Sequence, residues 1–515
     1  MRIPRYIVLL AVIVFSAVKG FGQKTDYTWL TGYESYAGYD TVYQHWFGIS
    51  KFDFNQPNVA ITRDSLGINF DSSNSTISDS NGNVLFYCNG VRINNSFDQL
   101  MVNGDSLSEG YFLNVLYTTA YQLGIPYPQY HLVLPNPNDA GKYDIFHLYV
   151  DTFAGGNADL GVKNLLHSSI DVYANNDSGL VLPKNISIID HEIGAAVCAT
   201  KHGNGRDWWI CTYQVGTNCF DMLLYNGSDT LPSHSTCGGM GFQHPHYESM
   251  RFSPDGSRFV LASDSGYICF YDFDRCNGTL SFLDTLHIPQ IVDSSWVPWG
   301  VEFSPNSRFV YVFCQFKIFQ FDMSASPIGN SIQTIATYNP SDGPYPMNYF
   351  HAQLAPDGKI YVNSGNTDYF IGVINNPDGE GSACNYLDHS ISLPTFISCL
   401  PYYPDYRLGA LSASACDSLS GLTEVARAAK EAILKVYPNP ASDYVMVDYG
   451  FTDWSKNGAV SLEICDELGQ AVYEQILPQY SGFQKLDFTK FAAGVYTAFI
   501  RRNGQMIATQ KFAKD

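Results

Sequence analysis

Short apolar stretches separated by turn residues recur at a constant spacing in the middle of the chain. Turns of the Ser-Pro-Asp-Gly type follow Phe252, Phe303 and Leu354, and successive copies lie 51 residues apart. Proline presets the first central turn position and Asp-Gly closes a tight turn, so each copy predicts a β-hairpin. The β-branched and aromatic residues after each turn suit a half-buried pleated sheet. A constant spacing of this size, with several short strands in each repeat, predicts a β-propeller.

Three further hairpins extend the pattern toward the N-terminus. Their turns lie at Gly82, Gly141 and Gly205. One more set of strands could form from the two ends of this region, near residues 26–70 and 384–411. A single hairpin cannot bury its apolar face alone, whereas sheets packed radially can. The sequence therefore predicts an all-β fold with a seven-bladed β-propeller, with six or eight blades as the alternatives.

A second all-β region follows a change in composition near the C-terminus. Residues 419–434 are rich in alanine and alternating charge and lack strand patterning, which predicts a linker. Beyond the linker, residues 460–464 alternate apolar and polar side chains, as a half-buried strand does. Asn503-Gly504 is a typical hairpin turn. Short strands at this spacing predict a small immunoglobulin-like β-sandwich over residues 435–515.

The charge and the N-terminus limit the partners and the location of the chain. Its 515 residues carry a formal net charge of −20, and such a chain repels phosphate backbones, which argues against nucleic acid. Arg2 and Arg5 precede an apolar run over residues 6–18, and small residues follow it. This order predicts a secretory signal peptide over residues 1–23. No later apolar run is long enough to predict a transmembrane span.

The twelve cysteines all follow the predicted signal peptide, and an exported protein can join cysteines as disulfides. No Cys-x-x-Cys pair occurs, which argues against a zinc ribbon or a thioredoxin-type site. Free buried thiols are one interpretation. The other is a set of disulfides, for which the spacing makes three pairs plausible: Cys269 with Cys276, Cys211 with Cys219, and Cys384 with Cys399.

Several segments between residues 27 and 418 follow one another in a characteristic order. They include SDSNGNVLFYCNG, RFSPDGSRFV, GVEFSPNSRFVYV, QLAPDGKIYV and LPYYPDYRLG. In this order they resemble a family of exported, propeller-like proteins of Bacteroidota-type bacteria. The resemblance implies the fold and the export of the protein, and it implies no particular biochemical activity.

Four short motifs occur in a fixed order in the C-terminal region. They are Tyr437-Pro438-Asn439-Pro440, the turn Leu468-Gly469-Gln470, the pair Gly494-x-Tyr496, and the ending Lys511-Phe512-x-Lys514. Together they resemble the type A sorting domain of the type IX secretion system. The resemblance implies that the secretion machinery is a partner and that this domain is removed during export. It also implies that the protein is released from the cell or attached to its outer surface.

Candidate functional residues lie in the loops that lead into the innermost strand of four successive predicted blades. They are His191 and Glu192, His244 and His246, Trp296 and Trp299, and Tyr349 and His351. If all four loops reach one mouth of the central channel, these groups could bind a metal, stack on a sugar, or act as acid and base. The alternative interpretation is that they pack the channel mouth and satisfy backbone groups.

Established catalytic motifs are missing from the sequence. The segment that begins at His191-Glu192 has Ala195 where a zincin carries its second histidine. No Gly-x-Ser-x-Gly elbow and no Walker-type loop occurs. Residues 79–83 resemble part of a calcium loop, but they lack the downstream glutamate and are interpreted as a hairpin turn.

The sequence therefore predicts four regions: a signal peptide over 1–23, a β-propeller over 24–418, a linker over 419–434 and a sorting domain over 435–515. The favoured hypothesis is a secreted or surface-attached scaffold that binds glycan or protein, because a propeller fold alone assigns no activity. The alternative is a metal-assisted lyase or hydrolase that acts on polysaccharide or peptide at the channel mouth. The sequence names no cofactor and no catalytic residue.

Overall fold

The structure of the protein is a computed structural model. It describes residues 24–110, 112–116, 118–119, 123–152, 160–228, 233–242, 248–288, 298–338, 348–365, 367–412, 414, 416, 432–451, 460–466, 470–477, 482–502 and 505–515. Residue contacts divide the chain into two units, Met1–Asp417 and Ser418–Asp515, and each unit is described by itself. Both units consist mainly of strands, as the sequence predicts. The domain boundaries given above stay predictions.

The first unit begins with two three-stranded sheets and a small hairpin. One sheet has the order β1-β4-β5 and the next β6-β7-β8, while β2 pairs only with β3. Most of β1 and all of β6 are buried, which places these two strands toward the interior. The strands are β1 (Thr28–Tyr33), β2 (Tyr39–Asp40), β3 (His45–Trp46), β4 (Gly48–Asp53), β5 (Ala60–Asp64), β6 (Ser75–Ser78), β7 (Val84–Cys88) and β8 (Ile93–Asn95).

Two larger sheets follow along the chain. The first contains β9 (His131–Pro135), β10 (Lys142–Thr152), β11 (Leu160–Asp171), β12 (Leu180–Val181) and β13 (Ile186–Ile189). The second contains β14 (Cys198–Lys201), β15 (Trp208–Tyr213), β16 (Cys219–Tyr225) and β17 (Ser233–Cys237). All of β14 and β15 is buried and most of β17 is exposed, so burial decreases from the first strand of the sheet to the last.

The three regular sequence copies form three four-stranded sheets, each with its strands in chain order. The first contains β18 (Glu248–Phe252), β19 (Arg258–Ser263), β20 (Tyr267–Asp274) and β21 (Thr279–His287). The second contains β22 (Pro298–Phe303), β23 (Phe309–Cys314), β24 (Lys317–Asp322) and β25 (Gln333–Thr337). The third contains β26 (Tyr349–Leu354), β27 (Ile360–Ser364), β28 (Asp368–Ile374) and β29 (Tyr386–Ile397).

The turn after the first strand has the same geometry in all three copies. Its third residue accepts a hydrogen bond from the N–H two positions later, at 2.9, 3.1 and 3.0 Å, in Asp255, Asp357 and Asn306. Its fourth residue has a positive φ, which favours glycine. Gly256 and Gly358 meet this requirement, while Ser307 adopts φ 63° in the middle copy. The hairpins predicted from the repeat are therefore confirmed.

The first strands of successive sheets lie side by side. Leu354 of β26 donates its N–H to the Glu302 carboxylate of β22 at 2.9 Å, and Val301 of β22 donates its N–H to Ser249 Oγ of β18 at 3.1 Å. Sheets that meet along their first strands and turn their last strands outward form a β-propeller. The described residues contain seven sheets here besides the β2–β3 pair. The predicted count of seven blades stays a prediction, because two of the seven have only three strands.

The C-terminal end of the first unit differs from the expectation. Residues of β29 pair with β28 and complete the third regular sheet, although Thr395 also contacts Ser50 of β4 through their hydroxyls at 2.7 Å. The residues that follow leave the sheets and enter the interior of the unit, where Tyr402 and Tyr403 are buried. The pattern of predicted strands could not show that these residues enter the interior, because the residues after β29 form no strand.

Few of the described residues in either unit are helical. The helical segments of the described residues are Phe112–Leu116, Ala174–Asp177, Ile328–Ser331 and Gly381–Cys384. In the part of the chain that the structure describes, no helix has the length and hydropathy that a membrane crossing requires.

The disulfides differ from the pairs that sequence spacing made plausible. Cys219 pairs with Cys237, its register partner across β16 and β17, and Cys276 pairs with Cys416. The other four cysteines of the expected pairs are free and buried: Cys211, Cys269, Cys384 and Cys399. Pairing depends on which strands lie side by side, and spacing along the chain does not report it.

The second unit is built from two sheets around one apolar core. The orders are β30-β31-β34 and β33-β32-β35-β36. Val447 of the first sheet and Leu462 of the second belong to the same core. The predicted immunoglobulin-like class stays a prediction. The strands are β30 (Ala432–Tyr437), β31 (Tyr444–Phe451), β32 (Val460–Cys465), β33 (Ala471–Leu477), β34 (Gly482–Asp487), β35 (Gly494–Arg502) and β36 (Gln505–Lys514).

Candidate functional site

The candidate residues of the channel mouth have different surroundings in the structure. The half-exposed imidazole of His191 lies 2.8 Å from the Asp221 carboxylate, and Glu192 is half-buried. His244, His246 and Trp296 lie outside the described residues. Within the described part of the chain, no group of three His, Cys, Asp or Glu side chains could hold a metal ion. The channel-mouth site therefore stays a prediction.

Of the described candidates in the last two loops, Tyr349 and His351 are buried and Trp299 is half-buried. The Trp299 ring lies 5.4 Å from the Phe350 ring, and the buried Tyr349 donates its O–H to Asp388 at 3.3 Å. His351 is buried, with Nδ1 3.9 Å from the sulfur of Cys399. Burial lowers the pKa of His351 to about 3, so its imidazole is neutral at neutral pH.

The interior of the propeller is occupied by the chain itself. We call residues 399–411 the central segment. Its tyrosines Tyr402, Tyr403 and Tyr406 are buried, and each donates its O–H to a backbone carbonyl of a first strand. The acceptors are Met250 at 3.4 Å, Thr76 at 2.9 Å and Val133 at 2.7 Å, respectively.

The backbone of the central segment is hydrogen-bonded along its length. Thr31 of β1 donates its hydroxyl to the carbonyl of Cys399. The Gln353 side chain of β26 accepts the N–H of Tyr403 at 3.0 Å. At the far end, Leu411 donates its N–H to the Gly203 carbonyl at 2.8 Å. The central segment therefore contacts the first strands of five sheets in the interior of the unit.

Arg251 of β18 connects the central segment to the ring. Its guanidinium donates to the Tyr403 carbonyl at 2.9 Å and lies 2.9 Å from the Glu302 carboxylate. The same group lies 4.3 Å from the centre of the Tyr402 ring. Both members of the ion pair are almost fully buried. Removal of one partner of such a pair costs about 3–5 kcal/mol, because the other charge is left unpaired.

Glu248, at the start of β18, is a further buried carboxyl group in the interior. Burial raises its pKa to about 8, and the nearby Asp264 carboxylate adds to the shift. The carboxyl group lies against Gly194, whose missing side chain leaves it room. Glu248 was not among the residues that the sequence selected. No local motif distinguishes it, and only the fold places it in the interior.

The outer surface carries an aromatic surface, which we define as Tyr36, Tyr39, Tyr43 and Trp46. Tyr36 is 86% exposed and Tyr43 is 53% exposed. The rings of Tyr39 and Trp46 meet edge to face at 5.0 Å across the β2–β3 hairpin. Large aromatic side chains exposed together are typical of an interaction site. In the sequence, the only indication of this surface is the density of aromatic residues between positions 36 and 47.

A shallow depression borders the aromatic surface. Its lining includes Glu34, Tyr36, Gly67 and Asn69. The Asp98 carboxylate accepts the N–H of Gly67 at 2.6 Å, and the Asn69 side-chain oxygen accepts the N–H of Glu34 at 2.7 Å. A few placed polar groups beside aromatic walls are the usual composition of a small-ligand site.

The sorting motifs lie at the ends of the second unit's strands. The Asn439 side chain accepts the N–H of Ala513 at 2.8 Å and so joins the first motif to the last. Tyr496 and Phe512 stack at 5.8 Å in the apolar core. Of the turn motif, Leu468 and Gly469 lie outside the described residues.

The family comparison identifies the second unit. Residues 435–515 match the model of the secretion system C-terminal sorting domain. This match confirms that the four motifs belong to a sorting domain, and it indicates export by type IX secretion to the cell surface or beyond. The type A class and the removal of the domain stay predictions. The signal peptide and the Bacteroidota-type source stay predictions. None of the curated proteins compared with this chain matches it.

Solved structures resemble the first unit only distantly. A putative 6-phosphogluconolactonase from Bacteroides uniformis is 14% identical with a TM-score of 0.42, and covers 72% of this chain and 98% of its own. The periplasmic gluconolactonase PpgL of Pseudomonas aeruginosa is 14% identical with a TM-score of 0.39, at 73% and 98% coverage. The Cps50 (Swd1) β-propeller domain of Myceliophteria thermophila is 11% identical with a TM-score of 0.35, at 61% and 85% coverage. At these scores the similarity carries no argument about activity.

Substitution of two glycines can distinguish the loss of stability caused by displacing the central segment from the loss caused by backbone strain. Gly205 has φ 70° and an added Cβ would lie 2.3 Å from the Ala410 nitrogen, whereas Gly358 has φ 79° and open space around it. We expect Gly358→Ala to lower the free energy of unfolding by about 1 kcal/mol through strain alone. Gly205→Ala should cost about 3 kcal/mol or more, because it also displaces the central segment. Urea denaturation measures both, and equal losses would contradict the packing described here.

Glu248 predicts a pH dependence of stability. The folded state raises the pKa of this acid from 4.5 to about 8, so the folded state favours the protonated form. Stability should therefore fall as pH rises from about 4.5 to 8. Glu248→Gln stays neutral, so its melting temperature relative to the natural protein should be higher at pH 8 than at pH 5. Thermal unfolding at the two pH values tests this, and an equal difference at both would contradict it.

Proposed function

We propose that this protein is a secreted or surface-attached β-propeller that acts as a binding scaffold after export by type IX secretion. The observation that carries the proposal is the central segment, whose buried tyrosines lie in the interior and bond to the first strands of the sheets. An interior occupied by the chain's own side chains favours a ligand site on the outside. The scaffold then presents its ligand surface on the exterior of the propeller.

The exterior site that we propose is the aromatic surface with the adjacent depression. Exposed Tyr and Trp rings offer flat apolar faces at a small cost in side-chain entropy. The C–H face of a sugar ring packs on such rings, and the Glu34 carboxylate and the Asn69 amide beside them can bond to hydroxyl groups. The net charge of −20 opposes anionic ligands. These features support a neutral glycan as the ligand, in preference to the protein partner that the sequence left open.

Substitutions in the aromatic surface test the glycan proposal. Tyr36→Ala and Tyr43→Ala should each weaken binding of a neutral hexasaccharide by about tenfold, because an aromatic contact contributes about 1–1.5 kcal/mol. The measurement is isothermal titration of residues 24–515 with cello-, laminari-, xylo- and mannohexaose. Tyr173→Ala is the matched control, because Tyr173 is 63% exposed and lies outside the aromatic surface.

The outcomes test the position of the binding site and the class of ligand separately. Weaker binding in both site variants with the control unchanged supports the proposal. Equal affinity in all four proteins places the ligand elsewhere. Absence of binding to all four hexasaccharides contradicts the glycan class. The melting temperatures should agree within about 2 °C, since exposed substitutions change stability little.

The metal-assisted enzyme stays the alternative, since His244 and His246 lie outside the described residues. On the scaffold proposal, the protein purified without chelator should hold no stoichiometric divalent metal by mass spectrometry. A stoichiometric metal that disappears in the His244→Ala, His246→Ala double variant would instead favour the enzyme. A metal that persists in the double variant would place it away from these two histidines.

A further inference from the structure

The Cys276–Cys416 disulfide lies where the central segment leaves the propeller. Cys276 follows β20 in the first regular sheet, and Cys416 comes shortly after Leu411, the last residue of the central segment. The two cysteines are 140 residues apart in sequence, with Cα atoms 5.6 Å apart. The bond therefore joins the end of the central segment to the wall of the ring.

Hydrogen bonds around the disulfide hold the same end of the central segment. Arg275, next to Cys276, donates to the Gly409 carbonyl at 2.6 Å and to the Lys201 carbonyl at 2.9 Å. Gly203 donates its N–H to the Arg275 carbonyl at 2.9 Å and accepts the N–H of Leu411 at 2.8 Å. The segment, the ring and the disulfide thus form one connected group.

The disulfide packs so closely against Gly203 of the propeller that no side chain could be accommodated there. A Cβ added to Gly203 would lie 2.2 Å from the Cys416 sulfur and 2.9 Å from the Cys276 sulfur. Both sulfurs therefore pack directly against the backbone that receives the central segment.

We propose that the Cys276–Cys416 disulfide is a redox latch that keeps the central segment inside the propeller. The two thiols lose two protons and two electrons as the S–S bond forms. An oxidant of the disulfide class accepts them and becomes a dithiol. In a reducing compartment the latch is open, and the ring closes fully on its central segment only after export. This proposal is independent of the glycan site.

The second disulfide has a different role and serves as an internal reference. Cys219 and Cys237 are register partners in adjacent strands, 18 residues apart, and they restrain only the edge of one sheet. In the chain-entropy model the stabilisation by a disulfide grows with the length of the closed loop. Loops of 140 and 18 residues predict that loss of the latch raises the unfolding equilibrium constant about twentyfold more than loss of the other bond.

The latch also protects the central segment from forces that act on the residues after Cys416. Cys416 precedes the predicted linker, so a pull or a cut beyond residue 416 acts on a residue already bonded to the ring. Removal of the sorting domain should therefore leave the central segment in place while the latch is closed.

The test compares two double variants of the protein, Cys276→Ser/Cys416→Ser and Cys219→Ser/Cys237→Ser. Amide hydrogen exchange is followed at Tyr402, Tyr403 and Leu411, whose N–H groups are bonded to Asn74, Gln353 and Gly203. Loss of the latch should accelerate exchange at these amides at least tenfold. Loss of the other disulfide should change them less than threefold and accelerate exchange in β16 and β17 instead. Equal exchange of the central segment in both variants would overturn the proposal.

A second measurement avoids variants that fail to fold. The natural protein is treated with dithiothreitol under native conditions, alkylated, and mapped to confirm that Cys276 and Cys416 are labelled. Exchange at the central segment should then increase at least tenfold, and reoxidation of an unalkylated sample with oxidised glutathione should restore protection. Unchanged protection while both cysteines are labelled would overturn the proposal as well.

Discussion

The buried ion pair between Arg251 and Glu302 joins three first strands and the central segment at one point. The guanidinium bonds to the Glu302 carboxylate and to the Tyr403 carbonyl, and the carboxylate accepts the N–H of Leu354 on the next strand. A buried charge is tolerated only when it is paired and hydrogen-bonded. The arrangement of the ring therefore depends on the central segment, since Tyr403 supplies one of the bonds that Arg251 requires.

Burial also determines the protonation state of the histidines inside the first unit. The interior contains imidazoles, but burial lowers the pKa of His131, His147 and His351 to about 3. These histidines are neutral, and His147 bonds to the hydroxyls of Ser108 and Ser168 at 2.6 and 3.0 Å. They act in packing and hydrogen bonding. The exterior carries exposed aromatic groups, among them Tyr36 and Tyr43.

The two units divide the work of the protein. The second unit matches a sorting domain and serves export, while the first unit is the part that we propose to bind a ligand outside the cell. A propeller displayed outside the cell experiences oxidising conditions, in which a disulfide persists. The proposed latch uses that condition, because it joins two cysteines that lie 140 residues apart in the chain.

The sequence by itself determined the local elements. Turn geometry depends on a few neighbouring residues, so the repeated Pro-Asp-Gly pattern predicted the hairpins after Phe252 and Leu354, and the ordered C-terminal motifs predicted the sorting domain. The tertiary structure alone decided the contents of the channel. Tyr403 bonds to Thr76, 327 residues earlier in the chain, and Cys416 bonds to a cysteine 140 residues away. Such contacts arise from the closure of the ring, and residue types or spacing along the chain carry no signal of which distant groups will meet.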